Sequence, residues 1–495
     1  MYINSGDIMF SKEKSLLKDS FFDDIDGKKL DKYQRKVIID NSDRLLVVAG
    51  AGSGKTLTII AKVKYLIEKL GYQEKEILCL SFTNETVDNL KDKLNNNVEV
   101  LTFHKLALKI INSNHINYFI ASDTMLQYII NEYFSANIVK RRFLLEYFDK
   151  LLMYDEIMNS SKLEYLKNNI FSFIKKIKCN DLGIQDIKRI ARKCVYDKEK
   201  IFLVFTLEIL KIYQEELLSE LKIDFDDMII YAKDLVRSKG LKWKYRYIII
   251  DEYQDISQIR FNLINEILKS IHAKLMCVGD DYQSIYGFSG SNINLFIDFF
   301  KFFPKAKRID IKNTYRNSYQ LIKTSIKFIM KNDLQLKKHI KATFFYKNPV
   351  VLVYYDSLNE SYDNLLNYLY LEEEKNILVL ARYNNDFKLI NKKEEHQGMN
   401  IKYLTVHMSK GLESDVVILL KVSDEYLGFP SKIKSDNIFS LIDNSKEEIP
   451  YAEERRLFYV ALTRCKKRIF LLVPKRNPSI FIDEIRNRSA ELLLK

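Results

Sequence analysis

Two stretches of the chain have the residue types and spacing needed to handle a nucleoside triphosphate. Ala49-Gly50-Ala51-Gly52-Ser53-Gly54-Lys55-Thr56 is a phosphate loop. Its glycines let backbone N–H groups turn toward phosphate oxygens, Lys55 adds a point charge, and the Thr56 hydroxyl suits Mg²⁺. Asp251-Glu252-Tyr253-Gln254-Asp255 supplies a carboxylate for the magnesium side, Asp251, and beside it Glu252, free to handle an attacking water. Together they predict a chain that takes Mg-ATP and hydrolyses it. Ala49 stands where the strict Gly-x-x-x-x-Gly-Lys-Ser/Thr form has its first glycine. The flanks agree with the loop: Leu45-Leu46-Val47-Val48 reads as a buried strand entering it. Residues 56–70 read as the helix leaving it, stopped by Gly71.

Such a loop needs a sheet behind it. Apolar runs at 45–49, 77–81, 247–250 and 275–279 each have loop chemistry at the carboxyl end and helical periodicity nearby. That is the pattern of a parallel sheet covered by helices, with ligands at the carboxyl ends of its strands. Between residues 106 and 222 the pattern changes to long helical periodicity, as at 124–134 and 202–221, and the α/β pattern resumes near Asp224-Phe225-Asp226-Asp227. A second strand series at 350–354, 376–380, 416–420 and 469–473 predicts a second α/β domain. The expected division is an N-terminal arm (1–30), a first domain in two parts (31–107 and 223–290), a helical insertion (108–222) and a second domain (291–495). Of 14 glycines, Gly50, Gly52, Gly54, Gly279, Gly287, Gly290 and Gly411 lie in candidate motifs, where backbone approaches a ligand or turns sharply.

A length of 495 residues leaves room for several cores. No uncharged apolar run is long enough to span a bilayer and no signal core opens the chain, so the expected location is cytoplasmic, with no membrane partner. Five scattered cysteines without a Cys-x-x-Cys argue against a disulfide framework, a zinc ribbon or a four-cysteine cluster. The net charge of +13 favours a polyanionic partner, and 13% aromatic content offers rings on which bases stack.

Further segments follow in order. They are Gln34 in Leu30-Asp31-Lys32-Tyr33-Gln34, Ser81-Phe82-Thr83-Asn84, Thr102-Phe103-His104, and Val278-Gly279-Asp280-Asp281-Tyr282-Gln283-Ser284-Ile285-Tyr286-Gly287. Asn313-Thr314-Tyr315-Arg316, Thr405-Val406-His407-Met408-Ser409-Lys410-Gly411-Leu412-Glu413 and Glu453-Glu454-Arg455-Arg456-Leu457-Phe458-Tyr459-Val460-Ala461-Leu462-Thr463-Arg464 complete the set. In order and wording the set resembles the UvrD/Rep/PcrA family of superfamily 1 DNA helicases, and the resemblance runs from Gln34 to Arg464. It implies two RecA-like parallel-sheet domains, the first with a helical insertion, and an ATP-dependent motor moving 3′→5′ on single-stranded or tailed duplex DNA.

The resemblance also assigns roles. Gln34 would contact adenine and Tyr315 would stack on it. The loop from Ala49 to Thr56 would hold the phosphates, with Lys55 on the β/γ-phosphates and Thr56 and Asp251 serving the magnesium. Glu252 would be the base, Gln283 the γ-phosphate sensor, Arg316 and Arg464 arginine fingers, and Glu413 a ribose contact. Phe82, Thr83, Asn84, Thr102, Phe103, His104, Tyr286, Phe288 and His407 match strand-facing positions, although Phe82 fits the core equally well. Asp31, Leu57 and Ser289 depart from the family's usual asparagine, polar residue and arginine. The family's large insertion in the second domain is missing between Arg382-Tyr383-Asn384-Asn385-Asp386 and Ile401. With only a short stretch after Arg464, the nuclease domain of some relatives is not expected. The alternative expectation is therefore a DNA-stimulated ATPase serving a partner nuclease or repair protein.

Overall fold

The apolar run before the phosphate loop becomes an inner strand of a six-stranded parallel sheet. In a computed structural model, described over residues 17–94, 98–135, 140–148, 157, 160–393, 395–433, 436–443 and 449–492, its strands are β1 (Arg44–Ala49), β2 (Ile77–Ser81), β3 (Glu99–Thr102), β4 (Tyr247–Ile250), β5 (Lys274–Gly279) and β6 (Lys307–Ile311). Their spatial order is β3-β2-β4-β5-β1-β6. Because side chains alternate across a strand, Leu46 and Val48 enter the core on one face while Leu45, Val47 and Ala49 enter the other. Helices cover both faces, so the inner strands are apolar throughout.

Register decides what emerges at the carboxyl edge. Val48 pairs with Gly279, Cys277 with Ile250, Ile250 with Leu80, and Ser81 with Thr102. The phosphate loop, Asp251-Glu252 and Gly279-Asp280 therefore leave the sheet side by side. Phe82 and His104 leave it one and two strands beyond Asp251.

The second sheet holds β7 (Val350–Tyr355), β8 (Asn376–Ala381), β9 (Glu395–His396), β10 (Met399–Thr405), β11 (Ser414–Leu419), β12 (Cys465–Pro474) and β13 (Ala490–Glu491), in the order β9-β10-β8-β11-β12-β7-β13. All its pairings are parallel except β9 with β10. The chain is thus an α/β molecule of two parallel-sheet units.

Three expected boundaries move. Residues 17–30 are not an appended arm: Phe22, Ile25 and Leu30 lie in the core beneath β1, and residues 1–16 lie outside the described residues. The boundary at 107/108 cuts the helix Phe103–Ser113, whose Phe103, Leu106, Ala107, Ile110 and Ile111 pack on the first sheet. The helical insertion has its own core, which runs from Ala121 to Leu217, and its entry and exit strands, Phe119–Ile120 and Lys222–Ile223, pair in parallel. The boundary at 290/291 also falls short, because β6 joins β1 beyond it, Ala49 opposite Ile311. Charges at Lys307, Arg308 and Asp310 hide this strand, yet a half-exposed edge position tolerates them.

Candidate active site

The phosphate loop turns at Gly52 and Gly54, whose φ values of 69° and 79° lie in the left-handed region. A β-carbon at Gly52 would sit 2.3 Å from Cβ of Arg316. The loop is therefore roofed by the linker to the second sheet. Tyr315 N donates to Gly52 O at 2.9 Å, and Thr314 Oγ1 to Ala51 O at 2.7 Å. The helix Lys55–Glu68 starts at Gly54 with no side-chain cap, leaving its first N–H groups directed at the loop's concavity.

Lys55 Nζ lies 2.9 Å from Glu252 Oε1. Gln254 Nε2 donates to Glu252 Oε2 at 2.5 Å, and Glu252 N donates to Asp251 Oδ1 at 2.9 Å. Glu252 itself adopts φ 51°, a conformation that costs a non-glycine residue on the order of 1 kcal/mol and is held here by these contacts. Burial raises both carboxyls, but the outcomes differ. Lys55 and Lys410 more than offset burial at Glu252 and hold its pKa below the usual range. Asp251, 3% exposed and next to Glu252, is pushed up instead. A buried carboxyl short of positive charge fits a dication, and Thr56 stands on the adjoining helix turn.

Gln34 lies at the rim of a cavity of about 580 Å³ that Gly54, Tyr315, Arg316 and Glu413 also line. Its amide is already engaged: Oε1 accepts from Asp31 N at 2.9 Å and Nε2 donates to Ser53 O at 3.3 Å. Asp31 caps the same helix and takes the Tyr315 hydroxyl at 2.8 Å. The Asp31 departure thus orients the ring proposed for adenine.

The second sheet contributes cations. Arg464, 1% exposed, donates from Nη2 to Gln283 Oε1 at 3.0 Å. Burial, then Arg316 nearby, lowers its pKa to about 9. Arg316 Nε reaches Glu413 Oε2 at 2.7 Å, and Gln283 Nε2 donates to Asp280 Oδ2 at 2.6 Å. Lys410 pairs with Asp255 and donates to Gln283 O at 2.8 Å, while Arg456 Nε donates to Ser284 O at 2.5 Å. Glu453 Oε1 accepts from Gly287 N at 3.0 Å. The 283–287 turn of the first sheet is therefore gripped at several points by the second.

The strand-facing candidates divide. Thr83 and Asn84 are exposed, and Phe82 is half-buried beneath the Arg260 guanidinium at 5.5 Å. His104 packs edge-on against Phe225, 48% exposed, at 5.2 Å. Phe103, 1% exposed, and Thr102, which caps the following helix through Lys105 N, are not on this face. The strong amphipathicity of that helix turns Phe103 into the core, under Phe82 at 5.2 Å. Tyr286, Phe288 and His407 form a second group across the two sheets. The Tyr286 hydroxyl donates to His407 O at 3.2 Å, and Phe288, 73% exposed, meets the His407 ring at 5.4 Å. Phe288 and His407 line a cavity of about 750 Å³ together with Arg382, Lys176 and Asn180. Burial, then neighbouring cations, lowers both His104 and His407 to a pKa of about 4.

The sequence motifs give no role to Gln254, Phe225 or Lys410 and mark Asp31 only as a departure from the family. The acidic run around Phe225 and the lysine inside the His407–Glu413 segment were the available signals.

A family model, the UvrD/REP helicase N-terminal domain, matches residues 30–304, more than half of the chain, and an AAA domain model matches 312–476. DNA helicase IV of Escherichia coli (strain K12) is 28% identical over 493 residues, 94% of this chain and 71% of that protein. ATP-dependent DNA helicase Rep of Buchnera aphidicola subsp. Baizongia pistaciae (strain Bp) is 27% identical over 382 residues, 73% of this chain and 52% of that protein. ATP-dependent DNA helicase PcrA of Leuconostoc citreum is 26% identical over 320 residues, 62% of this chain and 40% of that protein. The chain therefore spans about seven-tenths of the first of these relatives and about half or less of the other two.

Proposed function

The chain belongs to the UvrD/REP helicase family, and we propose that it is an ATP-dependent DNA helicase stepping 3′→5′ along single-stranded DNA. The observation that carries this reading is Arg464 of the second sheet, bonded to Gln283 of the first in a cleft where Glu252 and Asp280 also act on its charge. The polarity is the one the family resemblance implies.

Phosphoryl transfer asks the protein mainly to place positive charge and orient water. A triphosphate entering the loop competes with Glu252 for Lys55. Glu252, ionised and released, then orients and deprotonates the attacking water. Arg316 and Arg464 neutralise charge on the transferring group, and Gln283 reports its presence to the 283–287 turn. Magnesium, held by Thr56 and Asp251, would add positive charge at the β- and γ-phosphates. Tyr315 stacks on adenine, Gln34 borders it, and Glu413 meets the ribose.

Because Lys55 belongs to the first sheet's loop, Arg464 to the second sheet and Arg316 to the linker between them, bound γ-phosphate favours a closed cleft and its loss an open one. DNA gripped by Phe82, Thr83, Asn84, His104 and Phe225 on one side and Phe288 and His407 on the other would be passed between the two grips. A second reading has one observation behind it. Only residues 382–398 separate β8 from β10, and they hold a 3₁₀ segment, Asn384–Leu389, and the short strand β9. A second unit this small would serve a translocating ATPase that separates strands only with a partner, a nuclease or a repair protein.

The test is ATP hydrolysis with and without single-stranded DNA. Wild type should hydrolyse faster with DNA, and Lys55→Ala should be inactive under both conditions. Equal rates with and without DNA would remove the motor reading and leave an ATPase of another kind.

A further inference from the structure

Arg260 is placed where the folded chain alone has no use for a cation. It is the third residue of the helix Gln258–Ile271, which follows β4 and the Asp251–Asp255 segment. The positive end of the helix macrodipole lies there and repels an arginine in the first turn. Arg260 Nε is buried without an acceptor, while the outer guanidinium nitrogens reach solvent on a half-buried residue. Among the described residues no carboxylate pairs with it. The two acids whose charge it feels, Asp226 and Asp255, are engaged by Cys179 Sγ at 3.6 Å and by Lys410. A guanidinium so placed costs stability, and a bound anion would relieve the dipole, the missing acceptor and the missing counter-ion together.

The surroundings point to one class of anion. The guanidinium lies 5.5 Å from the centre of the Phe82 ring. Ser257, just before the helix, bridges to Ser291, and Asn292 N donates to Ile256 O at 2.9 Å. These contacts tie the start of the helix to the turn Gly287–Ser289, which carries Phe288 at the strand groove. Arg260 therefore stands between the half-buried Phe82 ring and the exposed Phe288 ring. Rings so presented take bases, and the backbone running between two stacked bases offers phosphodiester oxygens. His104 does not compete for them, because burial and then the Arg260 charge hold it neutral. A guanidinium fork suits two phosphate oxygens at once.

We propose that Arg260 is a phosphate-binding residue that holds the backbone of the single strand where it passes from the Phe82 ring to the Phe288 ring. The inference rests on the reading of those two rings as strand contacts. The guanidinium is already held against Phe82 before the strand arrives, so little side-chain freedom is lost on binding. A phosphate contact carries no base information, and the grip is therefore the same for any sequence.

The experiment uses the full chain with Arg260→Gln and Arg260→Met, which remove the charge, and Arg260→Lys, which keeps it. Both neutral variants should fold, since no ion pair within the protein is lost. Binding of a fluorescent oligothymidylate is measured across a salt series. The slope of log affinity against log salt should be shallower than wild type by about 0.7 in both neutral variants, the share of one phosphate contact on a single strand. Their affinity at low salt should fall about tenfold or more. Arg260→Lys should keep the wild-type slope, because a point charge still displaces a counterion. Neutral variants that bind with the wild-type slope would overturn the inference. Neutral variants that no longer fold would overturn it too, by assigning the charge to the fold. Failure of the wild-type chain to bind the oligonucleotide would instead overturn the strand reading on which the inference rests.

Discussion

Burial pushes the Glu252 carboxyl toward its protonated form, and Lys55 and Lys410 push it back further, so it stays ionised in a confined site. That combination makes it a base with a defined cost of removal. Glu252→Gln should retain ATP affinity while hydrolysis falls about 10²- to 10⁴-fold, read by nucleotide binding beside phosphate release. Hydrolysis near the wild-type rate would place the base elsewhere. The two histidines carry a second prediction. Burial lowers His104 and His407 to about 4 in the folded chain, below the ordinary value of 6.5. The unfolded chain therefore takes up protons first as pH falls, and the stability present above about pH 6.5 is lost progressively down to pH 4. Between pH 7 and pH 5 each histidine should account for roughly 2 kcal/mol of that loss. Urea unfolding at the two pH values should show a smaller loss in His104→Asn and in His407→Asn, and an unchanged loss would remove this assignment. The phosphate-loop residues and both acidic partners were legible because their chemistry demands local spacing. Asp31 was not, since its value lies in Tyr315 and Asn313, which reach it at 2.8 and 2.9 Å from far along the chain.

Residues 406–413 connect parallel strands that share a neighbour, so they travel the length of the second sheet against the first. His407 sits at the strand groove, Glu413 at the nucleotide cavity, and Lys410 between them on Asp255 and Gln283 O. This segment runs covalently from one proposed site to the other. Lys410→Met should leave ATP affinity intact and reduce DNA stimulation of hydrolysis by about tenfold or more, a coupling loss of about 1.4 kcal/mol. Full stimulation in that variant would move the coupling to another segment. At the root of the helical insertion, Lys178 lies 2.6 Å from both Asp224 and Asp227, with Asp226 close by and raised by burial and then by Asp224. Removing the buried cation leaves Asp224 and Asp227 without their paired counter-ion, so Lys178→Met should destabilise by about 3 kcal/mol in urea unfolding. Strands with apolar runs and helices with a clear period were readable from sequence. Two kinds of element were not. β6 alternates charge with isoleucine and reads as loop, and the helix Phe103–Ser113 runs through what looked like a domain boundary because its apolar stripe faces backward onto the first sheet.

The whole molecule carries a net charge of +13, and Lys176, Arg382 and Lys410 are among the cations near the groove and cleft. DNA affinity should therefore fall steeply and log-linearly with salt through release of counterions, and a flat response would separate the charge from DNA binding. No helix of the described residues is long and apolar enough to cross a membrane. The family was legible because motifs from Gln34 to Arg464 keep their order. The seating of residues 436–443 on the helical insertion, whose core buries Ile438 and Ile442, was not, because nothing local marks an Ile-x-x-x-Ile segment as the partner of a distant helix. The most direct measurement is displacement by the purified chain, at matched ATP, of duplexes carrying a 3′ or a 5′ single-stranded tail. Unwinding of the 3′-tailed duplex alone is the expected result; unwinding of the 5′-tailed duplex alone, or of both equally, would refute the proposed 3′→5′ motor.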